Sequence, residues 1–201
     1  MMEETKNEVK LGSNVIELLI PHRRPFLMVD AIESLAFEPE PRLEASRQIS
    51  ANEEVFRGHF PGLHLWPGVY TIEGLGQSCN LLYVLVRILR ELGGDRETLV
   101  KALRNLELGF RLHPGFKADA AARITEGLSK AAGAIGVSSS VDLKFLEPVF
   151  AGQRLVYDVR LTHEIGDQLR FESEARVGDK PVARGSLTAS CAFRLPPIGT
   201  K

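Results

Sequence analysis

The sequence predicts an α+β domain in which a curved antiparallel sheet wraps one long apolar helix. Three observations predict it. From Val69 to about Leu92 there is no proline, and LLYVLV at Leu81–Val86 is apolar on every face, the mark of a helix buried all round. The second half alternates instead: in RLVYDVRLT, Leu155, Tyr157, Val159 and Leu161 share one face while Asp158 and Arg160 take the other, as in a half-buried strand. The next run repeats this, with Leu169, Phe171, Ser173, Ala175 and Val177 set against charged neighbours, so the sheet keeps one polar face and needs the helix to cover the other.

Taken in order, Val9 to Leu19 reads as a short helix capped by Ser13 or Asn14 and stopped at Ile20-Pro21, where proline restricts the residue before it. FLMVDAIESL and RLEASRQIS read as extended. The long helix opens at Pro67-Gly68 and ends at Gly93-Gly94, a glycine C-cap. DRETLVKALRNLELGF predicts a second helix, with Asp95 as cap and Leu99, Leu103 and Leu106 as its apolar stripe. HPGFKADAAARITEGLSKAAG has turn signals and weak periodicity, and reads as part strand and part loop. SSSVDLKFLEPVF, the two alternating runs and a strand from Val182 to Phe193, entered by the tight turn Gly178–Lys180, then form an antiparallel meander.

The chain has 201 residues, 44% hydrophobic and 25% charged, enough for one globular domain with its own core. A formal net charge of -1 provides no global field for nucleic acid, so an anionic partner must be met by a local basic patch. Cys79 and Cys191 stand far apart without metal-ligand spacing, and both read as reduced thiols of a cytoplasmic protein. MMEETKNEVK lacks the apolar region of a signal peptide, and no run reaches the length that crosses a bilayer.

The densest stretch is GHFPGLHLWPGVYTIEGLGQ, Gly58 to Gln77, where a base, His59, precedes an acid, Glu73, with two Pro-Gly pairs between them. Together with IPHRRPFLMVD (Ile20–Asp30), FLEPVFAGQRL (Phe145–Leu155) and VGDKPVARGSL (Val177–Leu187), in that order, it resembles the FabZ-type 3-hydroxyacyl-[acyl-carrier-protein] dehydratases over most of the chain. The resemblance implies a hotdog fold, an acyl carrier protein bearing a 3-hydroxyacyl chain as partner, no cofactor, and a homodimer or higher homo-oligomer in which His and Glu face each other across the interface. It implies one domain over residues 1–201, serving fatty acid or polyketide-type biosynthesis, with an inserted segment at 94–133 as a lid or interface element. The chain departs from the family pattern at His64 and Trp66, and at Gly74 and Gly76, where alanine is usual; those positions bear on chain length.

Dehydration explains the residue types. It needs a base for the proton on C2, an acid for the hydroxyl on C3, and a donor for the charge that builds on the thioester oxygen. A histidine is largely neutral at cytoplasmic pH and accepts a proton, which suits His59. Glu73 sits among Val69, Ile72 and Leu75, where desolvation would favour the protonated acid. The helix start at Gly68 offers unpaired N–H groups at the positive end of the dipole, with Pro67 pre-setting the first helical φ.

Other residues carry two readings. Gln77, one turn after Glu73, either orients it or makes a structural polar contact. Phe60, Trp66 and Val69 are the candidate lining of an acyl tunnel, or core in the case of the two aromatics. Arg23, Arg24 and Arg57, with Arg87 and Arg90, either receive the acidic carrier protein or form a solvated surface. His64 lies five residues past His59, but no third ligand follows and no metal site is expected. Gly74 and Gly76 each cost a helix roughly 1 kcal/mol against alanine, so close approach by backbone or substrate is the expected reason for them. The competing functions are a hotdog thioesterase, which lacks this His-Phe-Pro turn; a FabA-type dehydratase/isomerase, with aspartate at the acid; and a non-catalytic subunit that binds acyl chains or an active partner.

Overall fold

The computed structural model describes residues 9–116 and 137–191. A seven-stranded sheet, every neighbouring pair antiparallel, curls around the long helix as a hotdog fold does. In chain order the elements are β1 (Leu11–Gly12), α1 (Ser13–Leu19), β2 (Ala31–Ala36), β3 (Arg42–Gln48), a 3-10 turn (Glu54–Arg57), α2 (Gly68–Glu91), α3 (Arg96–Leu112), β4 (Val137–Phe145), β5 (Arg154–Ile165), β6 (Gln168–Val177) and β7 (Lys180–Ser190).

The alternation in β5 and β6 becomes the inner face of the sheet. Leu155 pairs with Val177, Tyr157 with Ala175 and Leu161 with Phe171, and α2 lies across them. Leu75, Leu81, Leu82, Leu85 and Ile88 of α2 are fully buried, which is why that helix needs apolar side chains over so much of its circumference. It stops where Gly93 and Gly94 take positive φ. Val177 and Lys180 pair directly across a two-residue turn with Gly178 at φ 57°, so β7 begins two residues earlier than the hydrophobic pattern indicated.

Two expectations are corrected. The strands are not a simple meander: the order is β1-β2-β3-β5-β6-β7-β4, and β4 lies beyond β7 at the far edge. Both edges of β5 are occupied, by β3 and β6, so β4 takes the open side of β7. Nor does Ser13 or Asn14 cap α1. The cap position is Gly12, whose N–H donates to Glu107 Oε2 of α3 at 2.7 Å, and Ser13 is already helical. The second helix forms as expected, with Asp95 accepting from Thr98 N–H at 3.0 Å and Leu99, Leu103 and Leu106 buried against α1, α2 and β1. The expected mixture of strand and loop after it lies, from residue 117, outside the described residues.

Candidate functional site

The 3-10 turn ends at Gly58 and delivers the chain into a narrow hairpin. Phe60 and Leu63 exchange N–H···O bonds of 2.9 Å in each direction around Gly62, whose φ of 81° requires glycine. The returning arm is fastened to the loop before β5, Trp66 N–H donating to Val149 O at 2.8 Å and Ala151 N–H to His64 O at 3.1 Å. His59 projects from the first arm, stacked on Phe60 with ring centroids 4.3 Å apart.

His59 Nδ1 lies 3.0 Å from Leu65 O. A carbonyl oxygen only accepts, so Nδ1 carries the hydrogen, and in the neutral ring Nε2 is left with a bare lone pair. The backbone thus sets the tautomer that a base requires.

Glu73 stands in the second turn of α2. Its Oε1 accepts from Gln77 Nε2 at 2.8 Å. Gln77 is fully buried, donates also to Phe26 O at 2.7 Å, and accepts Met28 N–H on its Oε1 at 2.8 Å. Those backbone partners allow only one amide orientation, so the group presented to Glu73 is always N–H. Gln77 therefore makes both expected contacts: it hydrogen-bonds Glu73 and staples segment 26–28 to α2. Glu73 is less enclosed than expected: its side chain is 31% exposed in one protomer and Val69 is 65% exposed, because Leu75 turns to the core while Val69 and Glu73 face outward. Among the described residues no hydrogen bond or ion pair joins His59 to Glu73.

Pro67 is the N-cap of α2, with ψ 130°, and Gly68 is its first helical residue, so proline sits one position earlier than expected. A Cβ at Gly68 would come within 2.9 Å of the Phe145 ring. The helix therefore starts with the Phe145 ring packed where a side chain on residue 68 would stand. Gly74 has a similar reason: a Cβ there would lie 2.3 Å from Tyr157 Cζ and hydroxyl, so it is a side chain that approaches closely. Gly76 has nothing nearer than 4.0 Å and lines a small cleft with Asn80, Tyr83, Leu187 and Ala189.

Of the tunnel candidates, Phe60 and Val69 are on the surface, 48% and 65% exposed, whereas Trp66 is 3% exposed, packed edge-on to Phe56 and Tyr70 beneath the Arg47 guanidinium. Of the arginines, Arg23 donates to Ile20 O and His22 O, and Arg24 to Leu27 O and Asp30, so both brace the loop before β2. Arg90 is paired with Glu164 and Arg87 lies over the Tyr83 ring. Arg57, 83% exposed, reaches only the equally exposed Glu54 among the described residues, at 3.5 Å. His64 stacks on Phe56 at 5.1 Å, and no cluster that could hold a metal ion occurs among the described residues.

Two features escaped the sequence reading. Arg47 is buried and bonded to Asp30 (2.8 Å) and Glu53 (2.5 Å), behind the hairpin. His22, a histidine between two prolines, places Nε2 3.6 Å from Glu73 Oε1; its position inside IPHRRPF was the available signal.

Comparison with known proteins gives matches over most of the chain. The FabA-like domain family model matches residues 20–113. The 3-hydroxyacyl-[acyl-carrier-protein] dehydratase FabZ of Wolinella succinogenes is 31% identical over 88% of this chain and 93% of its own length. That of Colwellia psychrerythraea is 31% identical over 96% and 99%. The FabZ of a Neisseria meningitidis strain reaches 50% identity over 39% of this chain and 51% of its own. Among solved structures, the dehydratase heterocomplex ApeI:P of Xenorhabdus doucetiae aligns over 89% of this chain and 91% of that one, with a TM-score of 0.52 at 12% identity, a likeness of fold.

Proposed function

The chain belongs to the FabZ family of 3-hydroxyacyl-[acyl-carrier-protein] dehydratases, and from that premise we propose that it converts a 3-hydroxyacyl carrier-protein thioester to the trans-2-enoyl thioester, with His59 as base and Glu73 as acid. The observation that carries the reading is the pair of fixed proton positions: the His59 contact to Leu65 O leaves Nε2 bare, and Gln77 occupies Glu73 Oε1 with an N–H.

Each group then has one task. His59 Nε2 takes the C2 proton, and the electron pair of that C–H bond becomes the C2=C3 bond. The C3–O bond breaks as Glu73 gives its proton from Oε2 to the departing hydroxyl, which leaves as water. Charge that gathers on the thioester oxygen during proton removal meets the N–H groups at the Gly68 start of α2. One proton has moved onto His59 and one off Glu73, so returning it to the carboxylate restores both groups for the next turnover.

The base and acid meet when two protomers pair, His59 of one against Glu73 of the other. The support is on the surface of a single protomer, where Phe60 and Leu63 of the His59 hairpin, Val69 one turn before Glu73, and Phe145 beside Gly68 with its neighbour Leu146 are all exposed. A second copy covering that face would exclude water from Glu73. Phe60 and Val69 then contact the acyl chain directly while Trp66 shapes the wall from behind, and Arg57 is, of the candidate arginines, the one most available to an acidic carrier protein, with Arg23 and Arg24 as flanking charge.

The experiment is to offer the purified protein 3-hydroxyacyl carrier-protein thioesters of increasing length and follow enoyl absorbance. Enoyl product with a length optimum is expected. A folded, dimeric protein that forms enoyl product from none of them would overturn the reading.

A further inference from the structure

The roles given to His59, Glu73 and Gln77 leave one titratable group at the acid unexplained. His22 lies in the loop between α1 and β2, its Nε2 3.6 Å from the same Glu73 oxygen that Gln77 contacts, too long for a hydrogen bond yet close enough for the dipole of an N–H to act on a carboxylate. Its Nδ1 is buried and has no partner among the described residues.

Those contacts discriminate between the forms of the ring. Were the single proton of the neutral imidazole on Nδ1, it would be a buried, unpaired N–H, and the bare Nε2 would face an oxygen that is itself an acceptor. A proton on Nε2 removes both conflicts. The imidazolium would leave Nδ1–H unpaired and add a buried charge. The charged groups facing His22 are Glu73 of α2 and Arg23 of its own loop, Arg23 being paired in turn with Glu17 of α1. Burial holds His22 below the ordinary histidine range against the upward pull of Glu73, and Arg23 adds to the lowering.

We infer that His22 is a positioning residue for the acid: neutral, with its proton on Nε2, it flanks Glu73 Oε1 together with Gln77, so that the transferable proton is confined to Oε2 and the carboxylate left after transfer faces two N–H groups. What the proton is used for rests on the dehydratase reading; where it sits does not. A charged His22 would do the opposite, holding Glu73 as a carboxylate before any substrate arrived.

Two measurements test this. By nitrogen-15 NMR of the imidazole, the Nε2–H tautomer is expected at neutral pH. The Nδ1–H tautomer overturns the inference, and that result does not depend on turnover. The second is the pH profile of kcat for His22→Phe and His22→Gln. Phenylalanine keeps the ring and loses the N–H; it should lower kcat roughly tenfold with KM little changed and move the alkaline limb to higher pH, since the carboxylate loses a donor. Glutamine, which keeps a donor, should restore both. An unchanged kcat and limb in a folded His22→Phe, or a glutamine variant as poor as phenylalanine at unchanged thermal stability, also overturns it. If the wild-type protein dehydrates no thioester, the dehydratase reading fails by itself and the NMR arm still decides the placement of the proton.

Discussion

The Tyr157 ring of β5 lies against Gly74 of α2 so closely that a Cβ on Gly74 would be 2.3 Å from its hydroxyl oxygen. The hydroxyl is buried and has no partner among the described residues. Helix and sheet therefore approach at this point on condition that residue 74 has no side chain. Gly74→Ala should lower stability by about 1–3 kcal/mol through overpacking, and because Glu73 is the preceding residue it should also lower kcat. Tyr157→Phe should leave the fold intact and be neutral or stabilising by up to about 1–3 kcal/mol, since it removes an unpaired polar atom. Chemical denaturation of the two variants checks both signs.

His59→Ala and Glu73→Gln should each lose on the order of 100- to 10,000-fold in dehydration while folding normally. Mixing the two inactive variants, with subunit exchange, should then return activity. A mixed dimer holds one site with an intact His59 from one chain and an intact Glu73 from the other, and random exchange gives up to about a quarter of wild-type turnover. No recovery in verified mixed dimers would mean that both groups act from the same chain.

Gln77 joins function to stability. Gln77→Met keeps its length but orphans Met28 N–H and Phe26 O, so it should cost about 1–3 kcal/mol and reduce kcat together. A variant that lost turnover with its denaturation midpoint unmoved would detach the staple from the acid.

The far end of α2 carries a pH-dependent contact. Both terminal nitrogens of Arg90 donate to Glu164 of β5, at 2.8 and 2.5 Å, and this hydrogen bonding holds the Glu164 carboxyl below its ordinary range. A depressed carboxylate stabilises the fold above its ordinary pKa, and that contribution disappears as pH falls through the depressed value. Glu164→Gln should thus cost well under 1 kcal/mol at neutral pH, the pair being largely solvent-exposed, and the difference from wild type should vanish in acid. A gap that widened on acidification would contradict the sign.

What was legible in the residues divides by the range of the physics. The α2 helix, the inner faces of β5 and β6 and the Asp95 cap follow from side chains a few positions apart, and all are found. The position of β4 depends on which sheet edge remains open, which the alternation of Val141, Leu143 and Phe145 with Asp142 and Lys144 does not disclose. The cap residue of α1, Gly12, is held by Glu107, 95 residues along the chain, which no local rule anticipates. Gly74 was visibly anomalous in a helix, but the ring that occupies its missing volume belongs to another element. The site divides likewise: the hairpin and the acid stand in one motif, while His22 reaches Glu73 only through the folding of a separate loop.

The uncovered apolar face around His59 and Glu73 has a consequence for dosage. With a second copy seated there, the free energy of association adds to that of folding, and both become functions of how much protein is present. Dilution would then strip the active site and weaken the domain in one step, so melting temperature and specific activity should rise together with protein concentration. A cell that made too little of this chain would lose more than a proportional share of its activity, and a variant that merely weakened pairing would resemble one with a damaged base or acid until it was assayed at higher concentration.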